Sequence, residues 1–566
     1  MTKLPEPMKW WGWGDESIDF DVSNHPQLLD YLASIFGSMI RERTARAVEF
    51  ESIRLPEQKG NPSLAGELAA RWGPDRICDS KRARITHAFG KSLRDLWRVR
   101  NGIIPYAPDY VCYPVSHDEV RALVDLAASH GAVLIPFGGG SNIAGCLEPT
   151  KDAGRTAVSV DLRLMNRLLH LDPESGTARF EAGVLGPDLE DRLNRDGWTL
   201  GHFPDSFRFS TLGGWVATRS AGMQSDRYGK IEDMVLAIRM ASPAGTLETR
   251  AVPKASNGID VNHLCIGSEG TMGIITEIVV RIHRQASCRE TYGYLFPDFA
   301  SGVQAMRECH VSESVPAMSR LNDAARTALS LAYRPRSSSL QHHAGRLMKF
   351  YIQKIRRVDF TKASLMLTTI EGEAETFGSR WNRTESIYRR WGAVPLGGSP
   401  GRSFQKGKYD FPYLRDFLLD RGVLSDVSET ATAWSNVLPL HGKTLQAIQQ
   451  AIDNENTTGT VGCHISHTYD SGASLYFTFG FAGHKGQELR QYLRIKKATQ
   501  DSFLDNGATL SHHHAVGYEH LPWLERDISS TGLAAIESLK SGLDPNGVMN
   551  PGRLSRGFGF DEWFRK

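Results

Sequence analysis

A chain of 566 residues is too long for one hydrophobic core and implies at least two domains sharing an interface. Hydrophobic residues make up 40%, charged residues 23% and the formal net charge is +2, so no global nucleic-acid-binding character is implied. No run of about 18 apolar residues occurs, which excludes a spanning helix. The seven cysteines (Cys78, Cys112, Cys146, Cys265, Cys288, Cys309, Cys463) are scattered without a CxxC pair. Reduced thiols in a cytoplasmic protein fit that usage better than a disulfide framework. The opening stretch, MTKLPEPMKWWGWG, has neither an apolar signal core nor an amphipathic presequence, so any membrane contact is expected to be peripheral.

In chain order, residues 1–102 read as an N-terminal helical layer, with helical patterning over 26–49 and 64–72. Residues 103–285 alternate strand and helix. Ser116 and Glu119 form a capping-box start, and Val120, Leu123, Val124 and Ala127 follow at helical spacing. Strands are predicted at 132–135, 157–162, 177–182 (half-buried by its alternation) and 274–282, with a hairpin over 234–249. Residues 286–502 mix long helices with strands such as 364–369 and 474–481, and 503–566 end in a helix at 529–543 and a turn-rich tail.

The glycines fall at strand ends. Pro136-Phe137-Gly138-Gly139-Gly140-Ser141-Asn142 directly follows an apolar strand, and its backbone N–H groups can approach an anion such as a pyrophosphate. It neither opens a helix as GxGxxG nor carries a Walker lysine. Three further segments share its character: Pro204-Asp205-Ser206, the stretch from Ser210 to Trp215, and the stretch from Ile266 to Ile275.

In order and spacing these segments resemble the FAD domain of the vanillyl-alcohol oxidase superfamily. The resemblance implies an α+β fold: a PCMH-type FAD-binding domain at 103–285, an α+β cap domain for substrate at 286–502, and a C-terminal segment, 503–566, completing the active site. It assigns FAD contacts to Pro136, Phe137, Gly138, Gly139, Gly140, Ser141 and Asn142. Further contacts fall to Asp205, Ser206, Phe207, Arg208, Phe209, Ser210 and Thr211, and to Thr218, Arg219, Ser220 and Ala221. The last group is Glu269, Gly270, Thr271, Met272, Gly273, Ile274 and Ile275. The first loop has no histidine, so non-covalent FAD is expected.

Within that superfamily the chain is similar to the alkyldihydroxyacetonephosphate synthases. The matches are the opening Met8-Lys9-Trp10-Trp11-Gly12-Trp13-Gly14, the segment from Gly201 to Trp215, Tyr228-Gly229-Lys230-Ile231-Glu232-Asp233, Thr468-Tyr469-Asp470-Ser471-Gly472-Ala473 and Ser511-His512-His513-His514-Ala515-Val516-Gly517. The resemblance implies exchange of the acyl chain of acyl-dihydroxyacetone phosphate for a fatty alcohol, with the flavin as a covalent substrate trap and no net redox change. It makes Tyr476 the acid/base group, provided neighbours lower its pKa. It gives Arg415 to the substrate phosphate, and makes Arg320 and the His512, His513, His514 run necessary for activity. On a strand His512 and His514 would share one face and His513 the other.

Some positions depart from the family. Tyr518-Glu519-His520 stand where basic residues are expected, and His464 and His467 where the animal enzymes carry Arg and Gln. The closing segment from Asp544 to Gly552 looks more like that of hydroxyacid dehydrogenases of the superfamily. The alternative function is therefore an FAD-dependent oxidase or dehydrogenase of a hydroxyacid or alcohol, and a bacterial branch of the synthases would account for the mixture. His464 and His467 form an H-x-x-H, but such a pair diverges on a strand and no acidic cluster accompanies it, so no metal is expected. Residues 346–357 place Leu347, Phe350, Tyr351 and Lys354 at helical spacing among five basic residues. They are a candidate for peripheral contact with an anionic membrane, the competing reading being a core-packed helix. A lipid-like substrate, a homodimer and no nucleic-acid partner complete the expectations.

Overall fold

The computed structural model describes residues 4–150, 154–334 and 351–565. Three sheets organise it. The strands Tyr110–Cys112, Ala157–Asp161 and Val133–Phe137 pair in parallel, with Ile77–Cys78 added antiparallel at one edge. All but one residue of these three parallel strands is buried, as a sheet covered on both faces requires. The helix His117–Ser129 starts on Ser116, whose hydroxyl accepts from Glu119 N, while the Glu119 carboxylate accepts from Val115 N.

The second sheet has five antiparallel strands ordered Leu168–Asp172, Thr177–Glu181, Ile274–Arg281, Val235–Ser242 and Gly245–Glu248. The expected hairpin and alternation both appear: Ala178 and Phe180 are buried, whereas Thr177 and Arg179 are partly exposed. The third sheet is antiparallel throughout and has seven strands, ordered Val394–Gly397, Cys288–Phe296, Ser364–Gly372, Met318–Asn322, Gly459–Thr468, Gly472–Ala482 and Val423–Ala433. The long helices Trp434–Asn454 and Glu488–Asp505 bury Leu440, Ile448, Tyr492 and Phe503 against one side of it.

Some local expectations differ from what forms. Helix over 26–49 shrinks to Leu28–Phe36, because Gly37, at a φ of 73°, ends it. A short 3₁₀ turn follows, and beyond it Ala45 N and Val48 N donate to Asp420 O and Arg100 O rather than within a helix. The helix expected from 529 begins earlier, as Leu521–Leu543, with a break at Ser529, where φ is 71°. Of residues 346–357, those up to 350 lie outside the described residues. Tyr351–Ile355 forms a single π-helical turn; Ile352 is buried, while Lys354, Ile355, Arg356 and Arg357 are exposed.

The tail returns to the first sheet. Leu134 N donates to Val548 O at 2.8 Å and Asn550 N to Leu134 O at 2.9 Å, which extends that sheet beside Val133–Phe137. Asp544 fixes the turn: its carboxylate accepts from Val548 N at 2.8 Å and Met549 N at 2.7 Å. Asn550 Nδ2 then donates to Cys146 O and Glu269 O, joining two glycine-rich loops. Asp544→Ala removes two buried hydrogen bonds to a charged acceptor and is expected to cost roughly 2–4 kcal/mol. Thermal melting followed by flavin fluorescence will show flavin released at a lower temperature than in the wild type.

Candidate active site

The glycine loops pack on one another as closely as backbone allows. A Cβ on Gly139 would lie 1.6 Å from Phe209 O, and one on Gly270, where φ is 70°, 2.8 Å from Pro136 Cγ. Only glycine permits this approach, and it leaves residues 136–142, Thr211 and Gly270 lining one long cavity. Bare loop backbone with Ser141 and Asn142 beside it is a donor set that fits the pyrophosphate of FAD, with the hydroxyl oxygens of Ser206 and Thr218 as acceptors along the same wall.

Most residues expected to contact the cofactor line this cavity, but seven do not. Phe207 is buried in the core, stacked with Tyr409 and Trp215, and Phe209 meets Trp13 edge-on. Arg208 turns outward to pair with Asp410 at 3.1 Å. Arg219 takes left-handed backbone after the helix Leu212–Thr218 and lies 3.6 Å from Glu232. Thr271 donates to Ser268 O, and Met272 and Ile274 enter the cores. A loop that reaches a ligand with some residues must anchor itself with the others.

The cavity continues from the loops onto one face of the seven-stranded sheet, where strand alternation sets its floor. Glu429, Tyr476 and His464 form one cross-strand row, Val427, Thr478 and Gly462 the next, and Ser425, Gly480 and Thr460 the third. The floor thus changes from ionisable groups to small residues along the strands. Over it lie Leu32, Ile35 and Phe36 of the first helix and Leu414 and Leu418 of the helix Phe411–Leu419. A Cβ on Gly480 would lie 3.6 Å from Phe36 Cζ, so the two surfaces nearly close at the third row.

Tyr476 sits where the two regions meet. Its ring lies 4.7 Å from that of His464, 6.0 Å from His513 (stacked) and 5.4 Å from His514 (edge-on). The condition placed on its acid/base role, that neighbours lower its pKa, is not met. Burial pushes the phenol up, Asp205 adds to this and Arg320 only partly opposes it, so Tyr476 is a neutral phenol.

The histidine run is not a strand. Its backbone wraps a single carboxylate, Glu429, which accepts from His512 N at 2.8 Å, from His513 N and His514 N at 3.0 Å each, and from Ser511 Oγ at 2.7 Å. This carboxylate, absent from the sequence reading, is what defeats the strand expectation: three successive N–H groups cannot all point to one atom cluster in a pleated chain. Burial alone would raise the pKa of Glu429, yet the imidazoles of the run, His513 first, outweigh it and hold the carboxyl well below the usual range. Burial pushes His512 and His514 well below ordinary imidazole values, helped by Lys230 at His512 and by His513 at His514. His513 and His514 line the cavity; His512 instead meets Tyr469 Oη through Nε2 at 2.5 Å. The ring nitrogens of His467, His512 and His513 lie within 4.8 Å of one another. Of these nitrogens, His467 Nδ1 meets Ser225 Oγ at 2.6 Å and His512 Nδ1 meets His513 Nδ1 at 2.9 Å.

Arg320 and Arg415 both line the cavity. The opening motif explains how the second is held: Asp416, the next residue, accepts from Trp13 N at 2.8 Å and lies 3.6 Å from Lys9 Nζ. A Cβ on Gly12 would fall 2.2 Å from Asp416 Oδ2. Asp226 plays a similar part for Arg320 and His467. It accepts from the adjoining backbone groups, Ser319 N at 2.9 Å and Thr468 N at 2.8 Å, and burial pushes its pKa up to about 7. Neither aspartate could be assigned from sequence, since each partner is distant along the chain.

Fold and site together define a flavoprotein with the architecture of the FAD-linked oxidases. Residues 108–250 match the FAD binding domain family, and 286–554 match the FAD linked oxidases, C-terminal domain family. p-Cresol methylhydroxylase shares the fold, with a TM-score of 0.63 at 14% identity over 88% of this chain and 97% of that one. The alkyldihydroxyacetonephosphate synthase of Dictyostelium discoideum is 39% identical, over 97% of this chain and 94% of its own length. A solved alkyldihydroxyacetonephosphate synthase superposes with a TM-score of 0.84 at 37% identity, covering 96% of this chain and 98% of the other. The chain belongs to the alkyldihydroxyacetonephosphate synthase family.

Glu429→Gln turns an amide N–H₂ toward donors and is expected to destabilise the protein by roughly 3–5 kcal/mol near neutral pH. Because the folded pKa is depressed, this advantage of the wild type is complete above the ordinary glutamate value of 4.5 and fades only as pH falls through the lower folded value. Denaturant melts of both proteins from about pH 8 to about pH 6 should therefore run parallel, and converge as pH falls from 4.5 through the lower folded value.

Proposed function

We propose that the protein exchanges the acyl chain of acyl-dihydroxyacetone phosphate for a fatty alcohol, using non-covalently held FAD. The observation that carries this reading is one continuous cavity. It joins the glycine loops to Tyr476, Arg320 and Arg415 and then runs between apolar helices over a floor of small residues. A hydroxyacid needs no such apolar arm. A long hydrocarbon chain does, since burying it supplies binding free energy of about 25 cal/mol per Å².

Bound FAD supplies an isoalloxazine ring able to hold the substrate carbon covalently without net electron transfer. The chain's own residues do the rest. Arg415 and Arg320 present guanidinium groups to the substrate phosphate. Tyr476 enters as a neutral phenol, able to donate its proton to substrate and recover it later. The imidazole of His514, neutral and beside that phenol, can take the proton of the incoming alcohol. The apolar helices exclude water, which would otherwise compete with the alcohol as acceptor. Among the described residues no helix is long and apolar enough to cross a membrane. The exposed Lys354, Ile355, Arg356 and Arg357 support a peripheral contact through which a lipid substrate could be delivered.

Incubated with acyl-dihydroxyacetone phosphate and labelled fatty alcohol, the holoprotein should form alkyl product with no oxygen uptake or dye reduction. Substrate-dependent dye reduction without alkyl product would sink the proposal in favour of an oxidase or dehydrogenase. Tyr476→Phe should abolish alkyl transfer and leave the flavin spectrum intact. The first loop, residues 136–142, has no histidine. Acid precipitation is accordingly expected to leave the flavin in the supernatant; flavin retained on the pellet would show a covalent link.

A further inference from the structure

The helix Ala324–Ala332 carries a guanidinium that the chemistry above does not use. Arg326 lines the same cavity as Arg320 and Tyr476 and is only 6% exposed. Its Nε and Nη1 are buried without a hydrogen-bond partner. The adjacent carboxylate, Asp323, attracts its charge but spends its hydrogen bonds elsewhere. Asp323 Oδ1 caps the helix, accepting from the backbone N of Arg326 at 2.9 Å. Asp323 Oδ2 accepts from Cys463 N at 2.7 Å and faces His441 Nε2 at 3.2 Å. The ring of Phe411, 5.1 Å from the guanidinium carbon, offers a cation–π contact but no counter-charge. A buried cation in this condition is costly unless an anion joins it.

A second unused polar atom lies in the same cavity. His464 is 1% exposed, its ring lies tilted 4.7 Å from that of Tyr476, and its Nδ1 is buried without a partner. Burial first, then the charges of Arg320 and Arg326, push its pKa well below the ordinary imidazole value. His464 is therefore a neutral ring that can donate one N–H. Arg415 Nε, also buried and unpartnered, belongs to the same cavity.

We propose that Arg326 and His464 form an anion subsite that takes the phosphate group of the substrate together with Arg320 and Arg415. The inference rests on the functional reading above for the identity of the substrate. The unpartnered donors point to phosphate: Nε and Nη1 of Arg326, Nε of Arg415 and Nδ1 of His464 match the three terminal oxygens of a phosphate monoester better than the two of a fatty carboxylate. The subsite also explains how the chain tolerates an uncharged His464, because the helix Ala324–Ala332 contributes the cation instead.

The test uses holoenzyme of the wild type and of Arg326→Gln and Arg326→Lys. Binding of inorganic phosphate is followed by calorimetry and by the flavin absorbance, and KM and kcat are measured with acyl-dihydroxyacetone phosphate. Arg326→Gln should weaken phosphate binding and raise KM by about tenfold or more, with kcat changed much less. Arg326→Lys should restore part of both. Removing a buried charge whose N–H groups lack partners should leave the ligand-free melting temperature equal or higher, and saturating phosphate should raise it less than in the wild type. A melting temperature that drops while phosphate affinity stays unchanged would reduce Arg326 to a structural residue and overturn the subsite. Weakened inhibition by fatty carboxylate with unaltered phosphate binding would also overturn it. Should the wild type form no alkyl product at all, the functional reading fails, and the phosphate arm alone decides the subsite.

Discussion

The carboxylate of Glu429 gathers three successive backbone N–H groups, and with them three imidazoles, around one buried negative charge. A carboxylate in low dielectric keeps its charge only when donors surround it. Here the donors are the main chain of the very segment that brings His513 and His514 to Tyr476. Glu429 also pairs across the strand with Tyr476 itself. The position of the phenol and the path of the histidine loop are therefore set by the same residue, and neither can shift without the other.

The same device recurs at the other junctions. Asp226 joins Ser225–Tyr228 to two cap strands, Asp416 joins the opening tryptophan motif to the helix of Arg415, and Glu269 accepts from Val516 N and Gly517 N beyond the histidines. Each is an acid, largely or wholly buried, that accepts backbone N–H groups from a remote segment. Hydrophobic packing is non-directional and fixes the layers. These buried acids, each accepting main-chain N–H from another segment, fix the register between layers, which is what an active site shared among several segments requires.

The sequence was legible where local chemistry decides. The glycine loops, the capped helix after Ser116, the hairpin ending at Gly245–Glu248 and the long apolar strands all form where periodicity and turn residues place them. Tyr476, Arg320, Arg415, His513 and His514, singled out by family resemblance, line one cavity. It was not legible where a partner far along the chain decides. Glu429 is one acid in an alternating strand, and its donors lie more than 80 positions further on. Arg326 follows two alanines in an unremarkable helix and gains meaning only once its buried Nε and Nη1 are seen to lack hydrogen-bond partners. Phe207 and Met272 sit inside correctly identified loops but on their inward side, a distinction that spacing alone does not make.

The tail segment that pairs with Leu134 has a bearing on how the molecule is made. The strand bearing the first glycine loop is translated early, whereas Val548, Met549 and Asn550, which complete its sheet edge and tie two loops together, emerge more than 400 residues later. Closing so long a loop is slow and entropically costly. The cradle for the dinucleotide therefore cannot be completed until the tail has been synthesised. Flavin capture then acts as a seal on a completed chain, and a nascent or interrupted polypeptide carries an open sheet edge in its place.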